Sequence, residues 1–186
     1  YGRFAGLPGL GHAEYALSRR VGEDAVYTFC MCPGGEVVAA ASEEGRVVTN
    51  GMSRYKRDGA NANAAIAVSV SEPEPIAFQR MLEERAFAAG GGGYAAPMQT
   101  VGDFLAGKHG TEPGRIIPTY MNGNVRTADF GALFPPRITE LLRLGLNDFD
   151  RKLRGFACPD AVLTGVETRT SAPVRIVRQP ELLTSA

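Results

Sequence analysis

Residues 24–53, DAVYTFCMCPGGEVVAAASEEGRVVTNGMS, decide the fold. Val26, Thr28, Cys30 and Cys32 alternate with Tyr27, Phe29 and Met31, the period of two that sends successive side chains to opposite faces of a strand. Pro33-Gly34-Gly35 supplies a turn, Glu36 to Ala41 a second strand, Glu43-Glu44-Gly45 a second turn, and Arg46 to Thr49 a third strand. The expectation is an antiparallel meander.

Downstream, a polar loop at 54–63 leads to Ala64–Val70, a buried strand carrying Ile66, Val68 and Val70. Ser71-Glu72-Pro73-Glu74-Pro75 then offers caps, early acids and a proline suited to a first helical turn. Phe78, Met81, Leu82, Ala86 and Ala89 recur at helical spacing, and Gly90 stops the helix. Gly90–Gly93 reads as a flexible loop, and Thr100-x-x-Asp103 as a capping box for a short helix with Phe104 and Leu105. After a loop at 107–124 with an extended piece at Ile116–Tyr120, short helices are expected at Thr127–Leu133, Pro135–Leu144 and Asn147–Arg154, with Gly131, Gly145 and Gly155 between and after them. Ala161–Thr170 and Val174–Val177 return to β, and residues 1–20 are loop followed by a short element.

Strands, then helices, then strands predict an α+β fold. The expected parts are an antiparallel sheet or barrel-like lobe from 24–70 and 161–177, and a helical lobe from about 73 to 156. The last strands are expected to return beside the first, because four strands alone leave exposed edges.

The 186 residues are 44% hydrophobic and 22% charged, the balance of a folded chain. Lys plus Arg number 20 and Asp plus Glu number 20, so no global field favours nucleic acid or an anionic membrane. Three Cys and two His are too few for a disulfide scaffold or a conventional zinc site, and no metal is expected. No apolar run approaches the ~20 residues of a membrane span. A reducing, cytoplasmic setting is the expectation.

Three stretches are candidates for chemistry. Cys30 and Cys32, at i and i+2 of a strand, point to one face and bring their sulfurs close, while Pro33-Gly34-Gly35 permits close backbone approach. A redox thiol there needs a neighbour that lowers its pKa; otherwise both cysteines pack as small hydrophobes. Arg54, Lys56 and Arg57 follow the Asn50-Gly51 turn and offer cations to an anionic group, while Met52 adds a soft apolar side chain that excludes water. In Leu163–Ser171, Glu167 and Arg169 share one strand face, the position of a surface ion pair. Phosphate-binding motifs are missing: Gly6-Leu7-Pro8-Gly9-Leu10-Gly11 follows no strand, and Gly90–Gly93 ends a helix instead of opening one.

Taken together, TFCMCPGGEVVAAASEEGRVVTNGMSRYKRDGANANAAIAVSV, QTVGDFLAG and FDRKLRGFACPDAVLTGVETRTSAPVRI resemble the bacterial FAD-dependent dehydrogenases. The resemblance implies an inserted substrate-side domain spanning 1–186, whose FAD-binding stretches lie outside this segment and which has no FAD bound by itself. It implies a flavin-facing set, Cys30, Cys32, Pro33, Gly34, Gly35, Thr164 and Gly165, and a substrate-facing set, Met52, Arg54, Arg57, Glu167, Arg169 and Ser171. It assigns no catalytic residue. The implied partners are the FAD-binding domain of the same polypeptide and a small-molecule substrate, with neither membrane nor nucleic acid. Two other readings stay open: a module that binds RNA or protein through the arginine-rich loop, and a thiol redox switch at Cys30 and Cys32.

Overall fold

A computed structural model describes residues 6–11, 14–170 and 177. Ser171 and most of the expected last strand, Val174–Ile176, lie outside the described residues. The fold is mixed α+β, with eight strands in three sheets and four α-helices among the described residues.

The first sheet has the order β1 (Ser18–Val21), β2 (Asp24–Cys32), β5 (Asn63–Val68), all antiparallel. A second, two-stranded sheet joins β3 (Gly35–Ala39) to β4 (Thr49–Ser53). The expected meander is therefore corrected: β2 does not pair with β3. Its two edges are already taken by β1 and β5, so the Pro33-Gly34-Gly35 turn carries the chain out of one sheet and into another.

Helix α1 (Pro75–Ala89) starts on its proline and ends at Gly90, as the sequence predicts. Next comes β6 (Ala96–Thr100), buried at all five residues. Sequence reading passes over it because Pro97 argues against a central strand and the run has no alternation. Thr100 accepts a hydrogen bond from the Asp103 amide at 3.3 Å and caps α2 (Val101–Ala106). The Ile116–Tyr120 stretch is not a strand; it leads into a single 3₁₀ turn at Tyr120–Asn122.

β7 (Val125–Thr127) runs parallel to β6, and α3 (Phe130–Leu133) is capped by Asp129, which accepts from the Gly131 amide at 2.8 Å. The two helices expected on either side of Gly145 are one, α4 (Pro136–Lys152). Gly145 does not break it. A Cβ there would lie 2.6 Å from the Cγ2 of fully buried Val26, so the missing side chain is what lets α4 sit on β2.

The last described strand, β8 (Val162–Thr164), pairs antiparallel with β6. It does not return to the first sheet as expected, because β6 in the third sheet offers it a buried, unpaired edge. The described strands close no barrel. Beyond β8 the chain stitches the sheets together: the Val166 carbonyl accepts from the Thr49 amide at 2.8 Å, and the Glu83 carbonyl accepts from the Val47 amide at 3.1 Å. The main core gathers Val47, Ala86, Phe104, Phe130, Leu146 and Val166, and a smaller one gathers Leu17, Val26 and Phe149.

Candidate functional site

The β2 strand ends in a bulge. Phe29 pairs with Ala65 and Cys32 with Asn63, so β2 carries one residue more than β5 between those pairs. Cys30 takes up the extra length in a left-handed conformation with φ of 49°. The sulfurs of Cys30 and Cys32 are 3.7 Å apart, Cys30 donates to the Gly51 carbonyl at 3.3 Å, and Cys32 donates to the Cys30 carbonyl at 3.2 Å. Partial desolvation, the Cys32 hydrogen bond and the charge of Glu167 together push the Cys30 thiol up to about 11. At neutral pH it is protonated, the opposite of an activated thiolate.

The glycines beside the bulge are filled by the chain's own atoms. A Cβ on Gly34 (φ +57°) would lie 2.2 Å from the Arg57 carbonyl carbon, and one on Gly35 would lie 2.4 Å from Asn63 Nδ2. The Asn63 amide is wedged between Gly35 and Gly51, and neither of its polar atoms has a hydrogen-bond partner. These close approaches hold the 33–35 turn against the 57–59 loop.

A cavity of about 580 Å³ opens between β5 and the 162–170 segment, a volume in the range of small-molecule sites. α1 contributes Phe78 and Leu82 to its wall. Phe130 and Phe134 stack with centroids 5.8 Å apart and planes at 22°, and both rings face the cavity with Leu142. Gly165 lies against Phe130, where a Cβ would approach the ring to 2.9 Å. The polar lining includes Asn63, Thr164, Glu167 and Thr168. Glu167 is half-buried, and burial raises its carboxyl above the usual range.

Of the residues singled out from the sequence, Thr164, Gly165 and Glu167 meet in this cavity. Cys30 and Cys32 sit behind it, joined to its wall through Gly51, and Pro33, Gly34 and Gly35 belong to the turn next to them. Met52 and Arg57 are exposed outside it, and Arg54 pairs with Glu36 at 2.8 Å. Arg169 does not pair with Glu167. It grips the fully buried Glu83 carboxylate, with 3.0 Å from Nε and 2.8 Å from NH2. Thr168 and Gln79 also donate to the Glu83 carboxylate, at 2.7 Å and 2.9 Å. Burial opposes ionisation of Glu83, but these donors outweigh it and hold its carboxyl below the usual range.

Sequence reasoning missed Glu83 and the Phe130–Phe134 pair. A signal for Glu83 was present: it follows Leu82 on the apolar stripe of α1 and stands one helical turn after Gln79.

Flavin dinucleotides need a strand, a glycine turn and a helix N-terminus for the pyrophosphate. Among the described residues that arrangement is absent, since Gly90–Gly93 follows α1 and leads into β6. No Lys, Arg or His among the described residues lines the cavity to pair with a pyrophosphate.

Residues 1–170 match the family model described as FAD-dependent protein, C-terminal domain-like. A protein of Clostridium beijerinckii (strain ATCC 51743 / NCIMB 8052), described as "Uncharacterized protein", is 47% identical over 193 residues. That alignment covers 98% of this chain and 36% of the relative, so the chain spans about a third of the relative's length. Matched over nine-tenths of its residues, the chain belongs to the FAD-dependent protein, C-terminal domain-like family.

Proposed function

We propose that this domain closes the substrate side of an FAD-dependent oxidoreductase, with its cavity turned toward the flavin ring held by the rest of the same polypeptide. The observation that carries the reading is the cavity wall at 164–168, where five consecutive residues of a motif behind the family resemblance line one largely apolar space. When bound, the flavin supplies the hydride chemistry. This chain's residues do the rest: the stacked Phe130 and Phe134 exclude water, and Thr164 and Glu167 orient a ligand. Cys30 and Cys32 support the wall from behind through Gly51. Three free cysteines, two of them within 3.7 Å and unbonded, fit a reducing, cytoplasmic setting. No described helix is long and apolar enough to cross a membrane.

A small fluorophore tests the orientation in the full-length flavoprotein. It is attached to Thr170→Cys at the cavity rim or, as a control, to Arg151→Cys on the outer side of α4, both in a Cys158→Ser background. Reconstitution with FAD is expected to quench the rim label strongly and the control weakly. Equal quenching at both positions rejects a cavity that faces the ring.

A further inference from the structure

We propose that the cavity takes a small organic cation, an amine carried on an apolar or aromatic body, with its ammonium group at Glu167. The assignment deepens the reading of this cavity as the ligand site and rests on it.

Charge comes first. The only formally charged side chains among the described lining residues are Glu72, exposed at the rim, and Glu167, half-buried inside. No Lys, Arg or His among the described residues lines the space. The nearby arginines are committed elsewhere, Arg169 to Glu83 and Arg54 to Glu36. A carboxylate or phosphate entering the cavity meets two negative charges and no counter-charge. A neutral ligand removes water from Glu167 and returns nothing for it, which is the costly case of a buried charge without a partner. An ammonium group does the opposite: it supplies a charge-assisted hydrogen bond where the carboxylate is poorly solvated.

Shape agrees with charge. The stacked Phe130 and Phe134, with Leu142 and Phe78, give the remainder of the ligand an apolar wall. Aromatic faces also tolerate an approaching cation better than aliphatic ones do. Glu167 forms no hydrogen bond or ion pair with the described residues, and burial is the sole cause of its raised carboxyl pKa. The carboxylate thus has no described partner inside the cavity.

The test compares 2-phenylethylamine, 2-phenylethanol and 3-phenylpropionate by calorimetric titration of the full-length flavoprotein. The amine is expected to bind roughly tenfold or more tighter than the alcohol, and the acid weakest. Glu167→Gln is expected to abolish the preference for the amine by weakening the amine and tightening the alcohol, since the desolvated charge is gone, with a melting temperature near that of the parent. Glu72→Gln, at the rim, should change the preference by less. Amine and alcohol binding alike, a preference that survives Glu167→Gln, or no binding of any of the three overturns the assignment. A selective amine site together with equal label quenching would reject only the flavin-facing orientation; strong rim quenching without amine selectivity would reject only the cation.

Discussion

Gly145 and Val26 show how one absent side chain sets a packing distance. A valine at 145 would drive its Cβ into the Cγ atoms of Val26, which is 0% exposed and, being β-branched, has little rotamer freedom. Gly145→Val is expected to destabilise the domain by about 1–3 kcal/mol in denaturant unfolding. Combining it with Val26→Ala should cost at least about 1 kcal/mol less than the sum of the single variants, because the smaller partner makes the room. Strict additivity would show that the two positions do not share that space. The Cys30 thiol invites a chemical test. With its pKa pushed up to about 11, its alkylation at pH 8 should run at least about tenfold slower than that of an ordinary cysteine, the lost thiolate being offset in part by the greater nucleophilicity of a more basic sulfur. The rate should climb through pH 11, as read by peptide mass spectrometry. The closeness of the two sulfurs was legible from their i, i+2 spacing. The raised pKa was not, since it depends on a bulge and on Glu167, which is 137 positions along the chain from Cys30 by the numbering.

Among elements, the junction of α1 with the 168–169 stretch is the most sensitive to charge. Glu83 is fully buried and accepts from Arg169, Thr168 and Gln79. Removing the carboxylate leaves the guanidinium without its main partner. Arg169 remains 29% exposed, so water recovers part of the loss, and Glu83→Ala is expected to destabilise by about 2–4 kcal/mol. The pH dependence has a definite sign. The folded carboxyl titrates below its unfolded value, so its stabilisation is complete above the unfolded pKa of roughly 4.3 and is lost as pH falls through the lower folded value. The stability gap between the parent protein and Glu83→Gln should therefore be widest near neutrality and close as the pH falls below about 4. A gap that stays constant from pH 7 to pH 3 would exclude this role for the charge. Local chemistry made α1, α2 and the length of β2 readable: a proline start and glycine stop, a threonine cap, and clear alternation. β6 escaped because a five-residue run buried on every side carries no period to detect, and its proline points away from a strand.

For the molecule as a whole, the 162–169 segment is the seam. It pairs with β6, accepts from Thr49 at the start of β4, and ends on Glu83 of α1. Val166, 2% exposed, is the apolar side chain at its centre. Val166→Ala is expected to destabilise by about 2–3 kcal/mol and to speed amide exchange in β4 and β6 together. Phe149→Ala, in the smaller core, should act mainly on β1 and β2. Exchange that rises on only one side of the seam in the Val166 variant would contradict the stitching. The sequence by itself determined the α+β class and most element types, because periodicity, caps and turn residues act within a few positions of one another; the family resemblance pointed to the stretch from Thr164 to Ser171, of which Thr164, Gly165 and Glu167 line the cavity. Only the tertiary structure decided which strand pairs with which, that Arg169 belongs to Glu83 and not to Glu167, and that the described lining of the cavity holds acids and no bases. Strand edges, buried counter-charges and enclosed space are each made by residues far apart in the chain, and no local pattern encodes which of them will meet.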